Sequence, residues 1–213
     1  MKVGVIGSGV VGKVLADGFL GHGHEVMRGS REPAKLAEWK ASAGAKARTG
    51  TMAETAGFGE VVVLAVKGGG AVEAVAGLGG ALDGKVVIDA TNPIADAPPV
   101  NGVIRFFTGP NESLLEAIQA RAPRARVVKA FSCVGSALMV DPKLPGGKPT
   151  MFICGNDAEA KRQVAAILDQ FGWETEDAGG AEAARAIEPL CMLWCIPGFL
   201  RNDWMHAFKL LRP

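Results

Sequence analysis

The glycine pattern GSGVVG at positions 7–12, placed directly after the apolar run VGVI at 3–6, constrains this chain more than any other feature. A short β-branched run that stops at glycine reads as a buried parallel strand. The residues from 10 to 22 read as the helix that follows. In that setting G-x-G-x-x-G is a phosphate-binding corner, whereas the same letters alone are weak. Gly7 makes the tight turn. Gly9 lacks the Cβ that would hold a diphosphate off the backbone, and Gly12 lets the helix sit close to the strand. The free N–H groups and positive end of the helix favour an anion there. The competing reading is a glycine turn that binds nothing.

The rest of the chain repeats the strand–helix alternation. Strands are expected over 25–28, 46–48, 60–66, 85–90, 126–131, 150–154 and 173–176. Helices are expected over 33–42, 51–57, 70–82, 112–121 and 156–171, the last opened by Asn156 and Glu159 in a capping arrangement. Strands apolar on both faces and alternating with helices imply an α/β, Rossmann-type, doubly wound and mostly parallel sheet. Residues 1–178 form the expected dinucleotide-binding domain. Residues 179–213 form a short helical appendage, broken at Pro197 and too small for its own core, which packs on the domain or on a partner subunit.

Composition narrows the class further. A chain of 213 residues buries enough surface to need no disulfide staples. A net charge of +1 gives no footprint for nucleic acid or an anionic membrane surface. Cys133, Cys154, Cys191 and Cys195 lack CxxC or zinc spacing and read as buried thiols in a reducing compartment, so no metal is expected. The apolar N-terminus turns at Gly7, unlike a signal sequence. The apolar stretch 187–200 is shorter than the roughly 20 residues of a membrane span and contains Glu188, Pro189 and Pro197. A cytoplasmic protein without membrane or nucleic-acid partners is the expectation.

The second expected strand ends in Arg28, Gly29, Ser30 and Arg31, with no acid at its tip to accept from ribose hydroxyls. Ser30 can donate a hydrogen bond to a 2′-phosphate, Arg31 can pair with it bidentately, and Lys35 stands one turn further on. NADP(H) is the cofactor this pattern prefers; the bland reading makes Arg31 and Lys35 solvated charges. Three loops should face the cofactor from the carboxyl ends of later strands. Gly68, Gly69 and Gly70 allow close backbone approach or form a flexible turn. Asn92, held extended before Pro93, meets a ribose or nicotinamide or merely ends a strand. Ser132, Cys133 and Val134 follow a strand in which Lys129 reads as a snorkelling side chain. Cys133 has no nearby His, and His22, His24 and His206 are scattered. The chain contains no tyrosine, which excludes a Tyr-x-x-x-Lys carbonyl reductase. No other acid stands out, so a flavin-like ring that needs little acid catalysis fits best as hydride acceptor.

GSGVVG, GSR at 29–31, TNPI at 91–94, VKAF at 128–131, DAGG at 177–180 and AIEPL at 186–190 together resemble the NADPH-dependent reductases of the deazaflavin coenzyme F-420. The resemblance covers essentially the whole chain. It implies that Ser8, Gly9, Val10 and Val11 bind the diphosphate. It implies that Ser30, Arg31 and Lys35 hold the 2′-phosphate, and that Val66, Thr91 and Asn92 line the ribose and nicotinamide. Ser132, Cys133 and Val134 would edge the pocket where the deazaflavin stacks. It also implies a homodimer whose C-terminal helices help close that pocket. Ser132 departs from the Asn or His of related chains. The same domain is similar to the cytosolic part of membrane metalloreductases, which makes flavin a credible second acceptor. A reductase of flavin, quinone or another small acceptor, or a non-catalytic NADP-binding protein, are the alternatives. Trp194, Phe199, Trp204 and Phe208 either stack on a ring substrate or fill a dimer interface.

Overall fold

In the computed structural model, which describes residues 1–213, the chain begins with β1 (Lys2–Ile6), α1 (Val10–Gly21) and β2 (Glu25–Gly29). Next come α2 (Ala37–Ser42), β3 (Ala47–Gly50), α3 (Met52–Phe58), β4 (Val61–Leu64), α4 (Ala71–Ala76) and β5 (Val86–Asp89). The second half carries α5 (Leu114–Arg121), β6 (Arg126–Lys129), β7 (Thr150–Ile153), α6 (Ala158–Gln170) and β8 (Glu174–Asp177), then α7 (Ala184–Ile187) and α8 (Leu190–Arg201). Six strands form one parallel sheet in the order β3-β2-β1-β4-β5-β6. β7 and β8 form a second parallel pair, joined to the edge of β6 by one antiparallel bridge between Lys129 and Cys154.

The wholly apolar strands have a simple reason. Successive side chains point to opposite faces, and both faces are covered. Val3, Val5, Val61, Val63 and Ile88 pack with Leu15 and Phe19 of α1 and with Val164 and Leu168 of α6. Ile6, Val62, Leu64 and Val87 pack on the other face with Val75 of α4 and Leu115 and Ile118 of α5. α3 rides so close to β1 that a Cβ on Gly4 would stand 2.3 Å from the Thr55 carbonyl oxygen. Thr51 starts that helix with a full capping box, its hydroxyl accepting from the Glu54 N–H while Glu54 accepts from the Thr51 N–H.

Several sequence expectations need correction. The cap of α6 is Asp157, which accepts from the Ala160 N–H at 2.7 Å. Asn156 instead accepts from the Ala181 N–H and anchors the C-terminal segment. The helix expected over 70–82 stops at Ala76, because Gly79 turns left-handed at φ +53°, and a 3-10 turn finishes it. Pro197 does not break the tail: α8 runs through it to Arg201 and ends at left-handed Asn202. The missing N–H costs helix stability. Burial of Cys191, Trp194 and Gly198 on the inner face of that helix offsets the loss.

The helical run Ala181–Arg201 is 21 residues long, and its most apolar window of 18 residues has mean hydropathy 1.3. Its length and composition therefore match a membrane span, contrary to the sequence estimate from 187–200 alone. Within this fold 39% of its apolar window is buried against the protein.

Candidate functional site

The glycine corner is built by sterics. Gly7 has φ +153°, and a Cβ there would stand 2.2 Å from the Ala65 carbonyl oxygen. Its N–H donates to the Gly29 carbonyl at 2.9 Å, which ties the corner to the end of β2. A Cβ on Gly12 would come within 2.6 Å of the Gly7 carbonyl oxygen, so α1 could not approach with any larger residue. At Gly9 a Cβ would meet nothing within 4 Å. Gly9 is the N-cap of α1 and brings no side-chain cap, and the first turn holds no acidic residue. The first N–H groups of α1, those of Val10 and Val11 among them, therefore have no partner inside the helix. A cavity of about 690 Å³ lies against this corner, bordered by Ser8, Gly9, Ser30, Arg31, Val66 and Gly69.

The end of β2 supplies the polar side of that cavity. A Cβ on Gly29 would press within 2.3 Å of the Thr55 hydroxyl, so this turn too requires glycine. The Ser30 hydroxyl accepts from the Glu32 N–H at 3.2 Å. Arg31 is exposed at the cavity rim and makes no ion pair. Lys35 does not border the cavity; its ammonium lies 2.8 Å from Glu32, a contact that holds the Glu32 carboxyl below its ordinary range. Sequence reasoning passed over Arg28 as a strand-end residue. The fold buries it, with Nη2 donating to the carbonyls of Gly7 at 3.1 Å and Gly9 at 3.3 Å and the guanidinium stacked on Trp39. Burial lowers its pKa, and Asp17 opposes that shift. The signal available beforehand was a charge following the apolar pair Val26 and Met27 within the strand.

The loops after β5 and β6 meet beside the cavity but do not border it. The Asn92 amide donates to the Ser132 carbonyl at 2.8 Å. The Asn92 side-chain oxygen and the Ser132 hydroxyl are both buried without a partner. Thr91 is turned inward: its hydroxyl donates to Asp89 at 2.6 Å and its carbonyl accepts from Lys129 at 3.0 Å. Phe131, a bulky residue at φ +62°, swings the chain out of β6 into 132–134, a strained conformation of about 1–3 kcal/mol. Cys133 and Val134 are buried. Burial pushes the Cys133 thiol up to about 11, so it stays protonated and is no nucleophile near neutral pH.

Lys129 does not snorkel. It is 0% exposed, because β6 is flanked by β5 and β7, and its ammonium lies 2.6 Å from Asp89 and 2.8 Å from Glu188. Burial alone would depress its pKa; the two carboxylates outweigh that and raise it.

The C-terminal segment covers the loop after β6. A Cβ on Gly135 would stand 2.5 Å from the Trp194 ring, so that indole lies directly on the loop. Trp194 stacks on His206 at 5.1 Å and meets Trp204 at a tilt at 5.6 Å, and Phe199 meets Trp204 edge-on. The Trp194 indole N–H donates to the His206 carbonyl at 2.8 Å. The aromatic residues thus pack first on one another. Beyond them the chain crosses to β7 and β8, where the Thr150 N–H donates to the Phe208 carbonyl and Lys209 and Arg212 pair with Glu174 and Glu176.

A family described as NADP oxidoreductase, coenzyme F420-dependent, matches residues 2–93, from β1 through Asn92 and Pro93. Metalloreductase STEAP3 of Rattus norvegicus is 30% identical over 204 residues, covering 93% of this chain and 39% of the relative. The F420-dependent NADP reductase of Methanocaldococcus jannaschii is 31% identical over 136 residues, covering 63% of this chain and 60% of the relative. The chain therefore spans less than two thirds of the length of either curated relative. A solved structure from Arthrobacter sp. FB24, a candidate F420-dependent NADP-reductase, superposes with a TM-score of 0.91 at 32% identity over all of both chains. With sheet order, glycine corner and full-length likeness in agreement, this chain belongs to the coenzyme F420-dependent NADP oxidoreductase family.

Proposed function

We propose that this protein is an NADP-dependent oxidoreductase that passes a hydride between NADP(H) and the deazaflavin coenzyme F-420. The observation that carries the reading is the open space at Gly9 beside a helix start with unpartnered N–H groups. Every other glycine of the corner is filled by protein; this one leaves room for a ligand. A cavity of about 690 Å³ is of a size that takes an adenosine diphosphate moiety. The residues fit the dinucleotide: 8–11 meet the diphosphate, and Ser30 with unpaired Arg31 meets the 2′-phosphate, with Lys35 as an outer charge. Val66 packs on the ribose, and Asn92, backed by Thr91, addresses the nicotinamide end.

When bound, NADPH supplies the hydride and the deazaflavin takes it up. The chain's work is placement and exclusion of water. Asn92 and Ser132 offer two buried polar atoms without partners, which fit the polar edge of a nicotinamide or deazaflavin ring. Buried Cys133 and Val134, with the Trp194 ring on adjacent Gly135, keep that end dry. The exposed apolar residues Val100, Val103, Leu193 and Leu200 support a homodimer through the C-terminal helix, which light scattering tests.

The likeness to a metalloreductase favours a second reading, in which flavin or another small acceptor replaces the deazaflavin. Purified protein mixed with NADPH and each acceptor separates the two. Loss of NADPH absorbance with F-420 alone supports the first, and loss with flavin supports the second. Binding without loss in any mixture makes the protein a non-catalytic NADP binder.

A further inference from the structure

Arg28 carries a buried charge that the fold leaves unmatched. It is 2% exposed and makes no ion pair, and its Nε is buried without a hydrogen-bond partner. The one acid whose field reaches it is Asp17, and that carboxylate is already engaged by the Trp39 indole N–H at 2.6 Å and by Lys13 at 2.7 Å. A desolvated cation without a counter-charge destabilises a fold unless something offsets it.

The contacts of Arg28 say what that something is. Its Nη2 donates to the carbonyls of Gly7 and Gly9 from behind the glycine corner. In a trans peptide the carbonyl and the following N–H point in opposite directions. Drawing these two carbonyls inward turns the N–H groups of Ser8 and Val10 outward, on the side where Ser8 and Gly9 border the cavity. Trp39, stacked on the guanidinium, and the two carbonyls fix its position.

We infer that Arg28 is a positioning residue for the diphosphate of the dinucleotide, holding the corner's N–H groups toward it and supplying from behind the loop a charge that the phosphates match. The inference rests on the dinucleotide reading above and adds a division of labour to it. Arg31 stands at the rim, where only a 2′-phosphate needs it. Arg28 sits behind the part of the ligand that NAD and NADP share, so its effect is the same on both.

Calorimetric titration of NADP⁺ and NAD⁺ into the wild type, Arg28→Met, Arg28→Gln and Arg28→Lys tests this, with ligand-free melting recorded for each. The expected result is roughly tenfold weaker binding of both dinucleotides to the Met and Gln variants, as for loss of one charge-assisted interaction. Arg28→Lys, which keeps the charge, recovers part of the loss. A purely structural role predicts lower melting with both affinities unchanged, and that result overturns the inference. So does weakening confined to NADP⁺, or Lys and Gln variants of equal affinity. If Arg28→Met does not fold, the Lys and Gln comparison still decides. A wild type that binds neither dinucleotide overturns the dinucleotide reading itself; a binding wild type with indifferent variants overturns only this inference.

Discussion

The ammonium of Lys129 lies 2.8 Å from Glu188, and this contact fastens the C-terminal helices to the middle of the sheet. Glu188 also accepts the N–H groups of Leu114 and Leu115 at 3.0 Å each, which caps the start of α5 from another part of the chain. Lys129 in turn holds Asp89 and the Thr91 carbonyl, one residue before Asn92. One buried cation therefore sets the relation between the loop after β5, α5 and the tail.

Lys129→Met leaves two carboxylates buried without a cation, and the expected loss of stability is about 3–5 kcal/mol. Thermal unfolding followed by circular dichroism measures it, and a variant that melts like the wild type refutes the account. The pH dependence has a definite sign. The fold raises the Lys129 pKa, so its contribution is complete below the ordinary lysine value of 10.5 and fades only as pH climbs through the raised one. In the wild type the Lys129 contribution to melting is accordingly flat from about pH 6 to pH 9.

Gly9 and Gly12 should respond oppositely to the same substitution. Gly9→Ala meets no protein atom, so its ligand-free melting stays at the wild-type value while dinucleotide binding weakens. Gly12→Ala forces α1 away from the Gly7 carbonyl and lowers melting by itself. Paired melting and titration experiments read both effects. Unchanged affinity in Gly9→Ala would remove the diphosphate from this corner.

Arg31→Ala is expected to weaken NADPH binding roughly tenfold or more, as for one charge-assisted contact, and to leave NADH nearly unchanged. Fluorescence titration with the two reduced cofactors measures the ratio. Equal weakening of both would move the 2′-phosphate elsewhere.

The four thiols differ in reactivity for physical reasons. Burial raises Cys133 to about 11 and Cys154 to about 12. Cys191 is raised by its hydrogen bond to Cys195 and by burial, and the same bond lowers half-buried Cys195. The thiolate is the reactive form, so alkylation at about pH 7.5 should label Cys195 first. Peptide mapping by mass spectrometry reads the order, and earlier labelling of Cys133 would contradict it.

Much of this molecule was legible before any coordinates. The glycine corner and the run 61–64 fix a parallel sheet covered on both faces, because only such a strand can be apolar at every position. Ser30 and Arg31, singled out by the missing acid at the end of β2, both border the cavity. What sequence could not disclose are relations across the fold. Alternation gave Lys129 a route to water, but the neighbouring strand β7, distant in sequence, closes that route and Glu188 arrives from the tail. Lys35 stands at the right spacing for a phosphate, yet Glu32 three residues earlier claims it. Asn156 looks like a cap until Ala181 takes its side-chain oxygen and Asp157 fills the role. The proline at 197 looked like a break because the burial that sustains the helix belongs to other parts of the chain.

The bond from the Thr150 N–H to the Phe208 carbonyl has a consequence for solubility. β7 touches β6 at a single bridge, and at its start the tail engages Thr150 through backbone and side chain alike, the Leu210 N–H donating to the Thr150 hydroxyl. A chain ending before Phe208 would leave the Thr150 N–H at this strand edge without its partner, and an unpaired strand edge is the template on which proteins add strands to one another. Such a shortened protein should keep its glycine corner and still self-associate, which sedimentation of the truncated and intact chains would reveal.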